Sequence, residues 1–91
     1  MANKLDFQKN GSGEWSTSFV SSGNSVVELE RSESGVVTVR ASIDGMAEVP
    51  VAQFQNGFTH NVIFQVNVPV GVVVTIVSQS EVTKASMLVA E

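Results

Sequence analysis

The feature that most limits the fold of this chain is its stock of branched side chains, arranged in short alternating runs. Valine, isoleucine and threonine make up 26 of the 91 residues, whereas leucine occurs only three times. Branched side chains lose rotamer freedom in a helix and pack well on a pleated sheet. Apolar and polar residues alternate in these runs, and clusters of Gly, Asn, Ser and Asp separate one run from the next. This pattern is typical of an all-β sandwich or barrel.

We therefore predict one all-β domain over residues 1–91, an antiparallel β-sandwich or jelly-roll-like fold of about eight strands. The length suits a single modest core, and no internal repeat or linker divides the chain. The alternation predicts that Trp15 and Phe19 share an inward face of one strand. It predicts the same for Val27 and Leu29 of the next strand.

The most specific local prediction is a hairpin centred on Asn56-Gly57, because this dipeptide favours a tight two-residue turn. Pro50 lacks a backbone donor, so its strand is predicted to be an edge strand or to carry a bulge. The side chains that this hairpin and the segment after it would place together on one face are Val49, Val51, Val62, Phe64, Val66 and Val68.

A long uncharged span is the second unusual feature. Between Val49 and Ser80 there is no Asp, Glu, Lys or Arg, and His60 is the only ionisable side chain. Charged residues make up 15% of the chain, against roughly 25% in an ordinary soluble domain. Within this span, residues 72–77 are apolar on both faces of the expected strand. Either a neighbouring subunit covers the second face, or the strand lies mid-sheet and is shielded by its own chain.

Charge and composition disfavour several classes of partner. The net charge is −4 with five Lys and Arg residues, too few cations to follow a nucleic-acid backbone or an anionic membrane. No cysteine is present, so a disulfide framework and thiolate chemistry are excluded. The first residues contain no apolar segment of the kind found in signal peptides. Synthesis in a host cytoplasm, without secretion through a signal peptide, is the expectation.

No residue pattern points to catalysis, to a cofactor or to a metal. His60 has no metal-ligand partner at suitable spacing and no orienting acid for a triad. Glu28, Glu30 and Glu33 form an acidic cluster, and a solvated strand face explains them better than a cation site. We therefore predict that the chain is not an enzyme.

Four residues are candidates for contacts with a partner or ligand. Trp15 could form a sugar-stacking platform, but its alternation with Phe19 favours core packing. Phe58 follows the expected hairpin tip, where an interface role and packing are both open. Val73 and Val77 lie on the second apolar face of the late strand and would contact a covering subunit.

Three segments, taken in order, resemble short virion proteins of tailed phages and prophages. They are "GEWSTSFVSSGNSVVELE", "VVTVRASIDGMAEVPV" and "FQVNVPVGVVVTIVSQSE", and the resemblance extends over residues about 14 to 80. The resemblance lies in a Trp-containing first strand, an S-x-D-G turn before a V-P-V strand, and a late P-x-G-x-x-V-x-I-x-S strand. It implies a small β-sandwich that serves as a decoration, head-fibre or other auxiliary capsid component. It implies no catalytic residues.

The sequence thus leads to a non-enzymatic structural protein, located in a virion and acting through protein–protein interfaces. The expected partners are other copies of the chain, with a trimer as one stoichiometry, or a larger viral particle. The alternative is a small β-sandwich module that binds a glycan or another ligand, a role argued from the fold alone.

Overall fold

The computed structural model describes residues 2–33, 35–43, 45–56 and 61–89, and in these residues the chain is all β. The described part contains no membrane-spanning helix. The strands are β1 (Ala2–Lys4), β2 (Gln8–Lys9), β3 (Trp15–Val20), β4 (Ser25–Arg31), β5 (Gly35–Ser42), β6 (Val49–Asn56), β7 (Asn61–Val66), β8 (Val73–Ser78) and β9 (Val82–Val89).

The strands form two antiparallel sheets, which confirms the predicted fold class. A four-stranded sheet has the order β1-β9-β4-β7, and a five-stranded sheet has the order β2-β3-β8-β5-β6. The pairings are nested: β1 pairs with β9, β3 with β8, β4 with β7, and β5 with β6. A long hairpin rolled up in this way is a jelly roll, a form of β-sandwich.

The core lies between the two sheets and is built from the inward side chains of five strands. Val27 and Leu29 of β4 are fully buried, as their alternation predicts. Phe19 is partly buried and packs against this core from β3. The buried apolar residues of the cluster are Val27, Leu29, Val37, Val39, Val62, Phe64, Val66, Val74, Ile76 and Ala85.

The predicted hairpin between β6 and β7 is wrong, because the two strands belong to different sheets. β6 pairs with β5, whereas β7 pairs with β4. The predicted shared face is wrong as well: Val62 and Phe64 are buried, whereas Val49 and Val51 are 59% and 53% exposed. Gly57, the second turn residue, lies outside the described residues.

The physical reason is that non-local pairing overrides the local preference of the turn. β5 offers β6 a ladder from Gly35 to Ala41, and β4 offers β7 a ladder from Ser25 to Glu30. The pairing with β4 places the apolar side of β7 in the core. The prediction for Pro50 is confirmed in both forms: β6 is an edge strand, and its register with β5 shifts beside Pro50.

β8 is the middle strand of the five-stranded sheet, between β3 and β5. Its inward side chains Val74 and Ile76 are fully buried. On the outward side, Thr75 is 9% exposed and Val77 is 6% exposed. Their neighbours on β3 and β5 surround them, and the Oγ of Ser18 hydrogen-bonds the Thr75 Oγ1 at 2.9 Å. The apolar run therefore forms a mid-sheet strand whose outward face is largely covered by its own chain.

Candidate interaction surface

Five of the eight large apolar side chains that are exposed among the described residues lie at one end of the sandwich. β3 and β5 end there, and β8 begins there, because Val73 pairs with both Val20 and Ser42. Five large apolar residues at this end are more than half exposed, and we call them the apolar end. They are Val20 at 62%, Ile43 at 59%, Met46 at 66%, Val49 at 59% and Val70 at 75%.

Backbone pairing and backbone hydrogen bonds place these residues on adjoining strands and loops. Val73 of β8 pairs with Val20 of β3 on one side and with Ser42 of β5 on the other. Ile43 directly follows Ser42 in the chain. The amide of Met46 donates a hydrogen bond to the Ile43 carbonyl at 2.9 Å, which folds the loop before β6 into a turn. The five residues therefore lie at the same end of the fold.

The loop before β4 and the loop before β8 hold each other in place. The Ser21 amide donates to the Val72 carbonyl at 2.8 Å, and the Gly71 amide donates to the Ser21 carbonyl at 2.9 Å. Gly71 has a φ of 94°, which a side chain would strain. A Cβ added to Gly23 would lie 3.8 Å from the Cγ2 of Val70. The apolar end thus rests on loops that are fixed by backbone bonds.

We predict that Ser21→Ala destabilises this end and lowers the free energy of unfolding by about 1–2 kcal/mol. The Ser21 side chain is 3% exposed. Its Oγ lies 3.1 Å from the Val68 carbonyl and accepts a hydrogen bond from the Gly23 amide, also at 3.1 Å. Urea unfolding measures the loss. Ser22→Ala removes an exposed hydroxyl and is the control, with an expected change below about 0.5 kcal/mol. Equal losses in the two variants would contradict the prediction.

Charge is distributed unevenly between the two ends of the sandwich. In the described residues of the loops at the apolar end (21–24, 43, 45–48 and 67–72), Glu48 is the only charged residue. The loops at the opposite end carry Glu14, Glu33 and Glu81. Among the described residues, the loops at the apolar end thus carry one carboxylate and the loops at the opposite end carry three, and we call the opposite end the acidic end.

The sequence-predicted contact residues do not form one site. Trp15 is half-buried at the acidic end of β3, on the same strand face as Phe19, which packs against the core. Val77 is nearly buried within its own sheet, and Val73 is half-buried beside Val20. Phe58 lies outside the described residues, as does His60.

The acidic residues of β4 lie on the outer face of the four-stranded sheet. Glu28 is exposed and Glu30 is half-buried, and Lys84 of β9 is the cross-strand neighbour of Glu30. The Thr83 Oγ1 also hydrogen-bonds the Glu30 Oε1 at 3.1 Å. An open groove of about 760 Å³ runs along these side chains and Lys4. In the described part of the chain, no three His, Asp or Glu side chains come together as metal ligands.

Comparisons with protein-family models, with curated proteins and with solved structures gave no match. The function of the chain is therefore inferred from its own residues.

Sequence reasoning missed most of the apolar end. Ile43 and Met46 flank a predicted turn, and Val70 lies between Pro69 and Gly71. The sequence pattern therefore assigned all three residues to the loops between strands and not to a surface. The available signal was the presence of large apolar residues in loops, where polar side chains are the norm. Only Val73, beside this surface, was among the predicted contacts.

Proposed function

We propose that this chain is a non-enzymatic assembly protein that docks through its apolar end onto a larger protein particle. Its place would be that of a virion accessory component, of the capsid-decoration or head-fibre kind. The observation that carries this proposal is the group of five exposed apolar side chains at one end of the fold, opposite the acidic end. Exposed apolar patches of this kind mark sites of protein association.

The size of the molecule is compatible with such a role. A stable interface buries roughly 800 Å² on each partner, about one seventh of the 5639 Å² surface of this chain. One end of a sandwich with principal extents of 31, 30 and 20 Å can supply such an area. Jelly rolls occur in viral capsids, in lectins and in cupins, so the fold agrees with the proposal without selecting it.

A glycan-binding role has less support among the described residues. Trp15, the tryptophan that could stack on a sugar, lies half-buried on the core-facing side of β3. A shallow cavity of about 440 Å³ near β2 is lined by residues 6, 8–10 and 16–18 and does not include Trp15. Glycan-array binding that is lost in a folded Trp15→Ala variant would favour the ligand-binding alternative.

The proposal is tested on particles purified from the strain that carries the gene. Mass spectrometry should find the chain in these particles at a fixed number of copies per particle. Purified chain should also rebind to particles that lack it. Absence of the chain from every particle fraction, together with no rebinding, would overturn the proposed function.

We predict that Val70→Asp weakens this rebinding at least about tenfold, because it places a charge on the most exposed side chain of the apolar end. Val70 is 75% exposed, so the free chain should fold normally. Ser12→Asp is the control, since it adds the same charge at an exposed position in the loop between β2 and β3, at the opposite end. Equal weakening by both variants would contradict docking through the apolar end.

A further inference from the structure

The two sheets have four edges, and three of them are protected against pairing with another chain. β1 has three residues and β2 has two, and residues 5–7 join them across the side of the sandwich. Leu5 and Phe7 of this connection pack against the core, and the Leu5 amide donates to the Ala85 carbonyl at 3.1 Å. β6 carries Pro50 and a register shift beside it. Short strands, proline and bulges are the usual means of blunting an edge.

β7 is the edge without such protection. It has six residues, and it pairs with β4 from Asn61 to Val66 without a register shift. Its sequence, NVIFQV, contains no proline and no charged residue. Its side chains alternate strictly between exposed and buried, and Ile63 is 68% exposed at the middle of the outward face. A flat, uncharged strand with an exposed apolar residue is a template for another strand.

We propose that two copies of this chain pair through β7, antiparallel, with the two-fold axis at Ile63. The two four-stranded sheets would then form one continuous eight-stranded sheet. Ile63 of one copy would face Ile63 of the other, which covers a side chain that is two-thirds exposed in the single chain. Such an isologous contact closes on itself and gives a dimer, not a fibre.

A second copy fits this edge because two β7 strands that run antiparallel place similar side chains opposite each other. With the axis at Ile63, Asn61 meets Gln65 on the outer face, so that amide lies against amide. On the inner face Val62 meets Phe64, so that both buried rows continue across the junction. Each side chain therefore meets one of its own kind, as cross-strand pairs in a stable sheet require.

Charge also favours a second copy at this edge. Each chain has a net charge of −4, so two copies approach most easily through uncharged strands. The nearest carboxylate across the ladder is Glu28 of β4, the neighbour of Ile63. The two Glu28 residues would lie about three strand spacings apart, roughly 14 Å. This exceeds the screening length of about 8 Å at physiological salt.

The β7 pairing goes beyond docking through the apolar end and uses a different surface. Val70 and its neighbours lie at the end of the sandwich, whereas β7 lies at its side. The dimer can therefore form in a chain that does not dock, and the chain can dock as a monomer. The two proposals are tested by separate variants.

The absence of cysteine makes the pairing directly testable. In an antiparallel pair, opposed Cα atoms lie about 4.5–5.5 Å apart, within the range that a disulfide spans. Ile63→Cys should therefore give an almost fully crosslinked dimer under mild oxidation. Leu88→Cys, which is exposed on the same face but away from the edge, should remain uncrosslinked. Equal crosslinking of the two variants would overturn the proposed geometry.

The dimer itself is measured by light scattering and native mass spectrometry of the full chain. The unmodified protein should have about twice the 9.7 kDa chain mass, and Ile63→Lys should have the mass of a single chain with an unchanged circular dichroism spectrum. Leu88→Lys should keep the dimer mass. A monomeric unmodified protein would overturn the proposal, as would a dimer that Ile63→Lys leaves intact.

Discussion

Ile76→Ala is expected to lower the free energy of unfolding by about 2–5 kcal/mol, the usual cost of truncating a buried isoleucine. Ile76 is fully buried in β8, the central strand of the five-stranded sheet, and belongs to the core cluster between the sheets. The loss combines the transfer free energy of the removed methyl and methylene groups with the cost of the cavity left behind. The total free energy of unfolding of a domain is about 5–15 kcal/mol, so this loss is a large share of it.

The chain offers a matched control at Ile63, the same residue type in a strand but 68% exposed. Ile63→Ala should change the free energy of unfolding of the single chain by less than about 0.5 kcal/mol. Urea unfolding at low protein concentration, where association does not contribute, measures both variants. Similar losses in the two would mean that Ile76 does not lie in the core described here.

Arg31→Ala is expected to lower the free energy of unfolding by about 2–3 kcal/mol, because the side chain is almost fully buried and hydrogen-bonded. Arg31 is 2% exposed at the end of β4, and its NH1 group donates to the Gly35 carbonyl at 2.7 Å. Burial lowers the pKa of Arg31, because its charged form loses hydration. The hydrogen bond to the Gly35 carbonyl offsets part of this cost and links the end of β4 to the start of β5. Removal of the side chain leaves the Gly35 carbonyl without this donor.

Arg40→Ala is the matched control, since Arg40 lies half-buried on the outer face of β5. Its expected cost is below about 1 kcal/mol. Arg31→Lys should fall between the two, because an ammonium keeps the charge but not the planar fork of donors. Thermal unfolding is a second measure: a loss of 2–3 kcal/mol corresponds to a fall in Tm of roughly 10–20 °C. If Arg31→Ala is no worse than Arg40→Ala, the buried hydrogen bond is not important for stability.

The arrangement of the ends was harder to predict than the core. Alternation identified the inward faces of β4 and β7, because side chains in a strand must point to opposite sides in turn. It carried no information on Val70 or Met46, which lie in loops, where no period constrains a side chain. Their common location follows from the strand ends that the fold brings together. Trp15 illustrates the same point. Alternation predicted that it shares the inward face of its strand with Phe19, but it gave no information on which end of the sandwich holds Trp15.

The sequence alone determined that this chain is built from β-strands and which side of most strands faces inward. Both follow from side-chain branching and a period of two residues, which act over a few neighbouring positions. Only the tertiary structure decided which strands pair. The Asn56-Gly57 signal favoured a β6–β7 hairpin, but β6 pairs with β5 and β7 pairs with β4, in different sheets. Pairing depends on the sum of contacts between segments that are distant in sequence, and in this chain that sum decides the partners of β6 and β7.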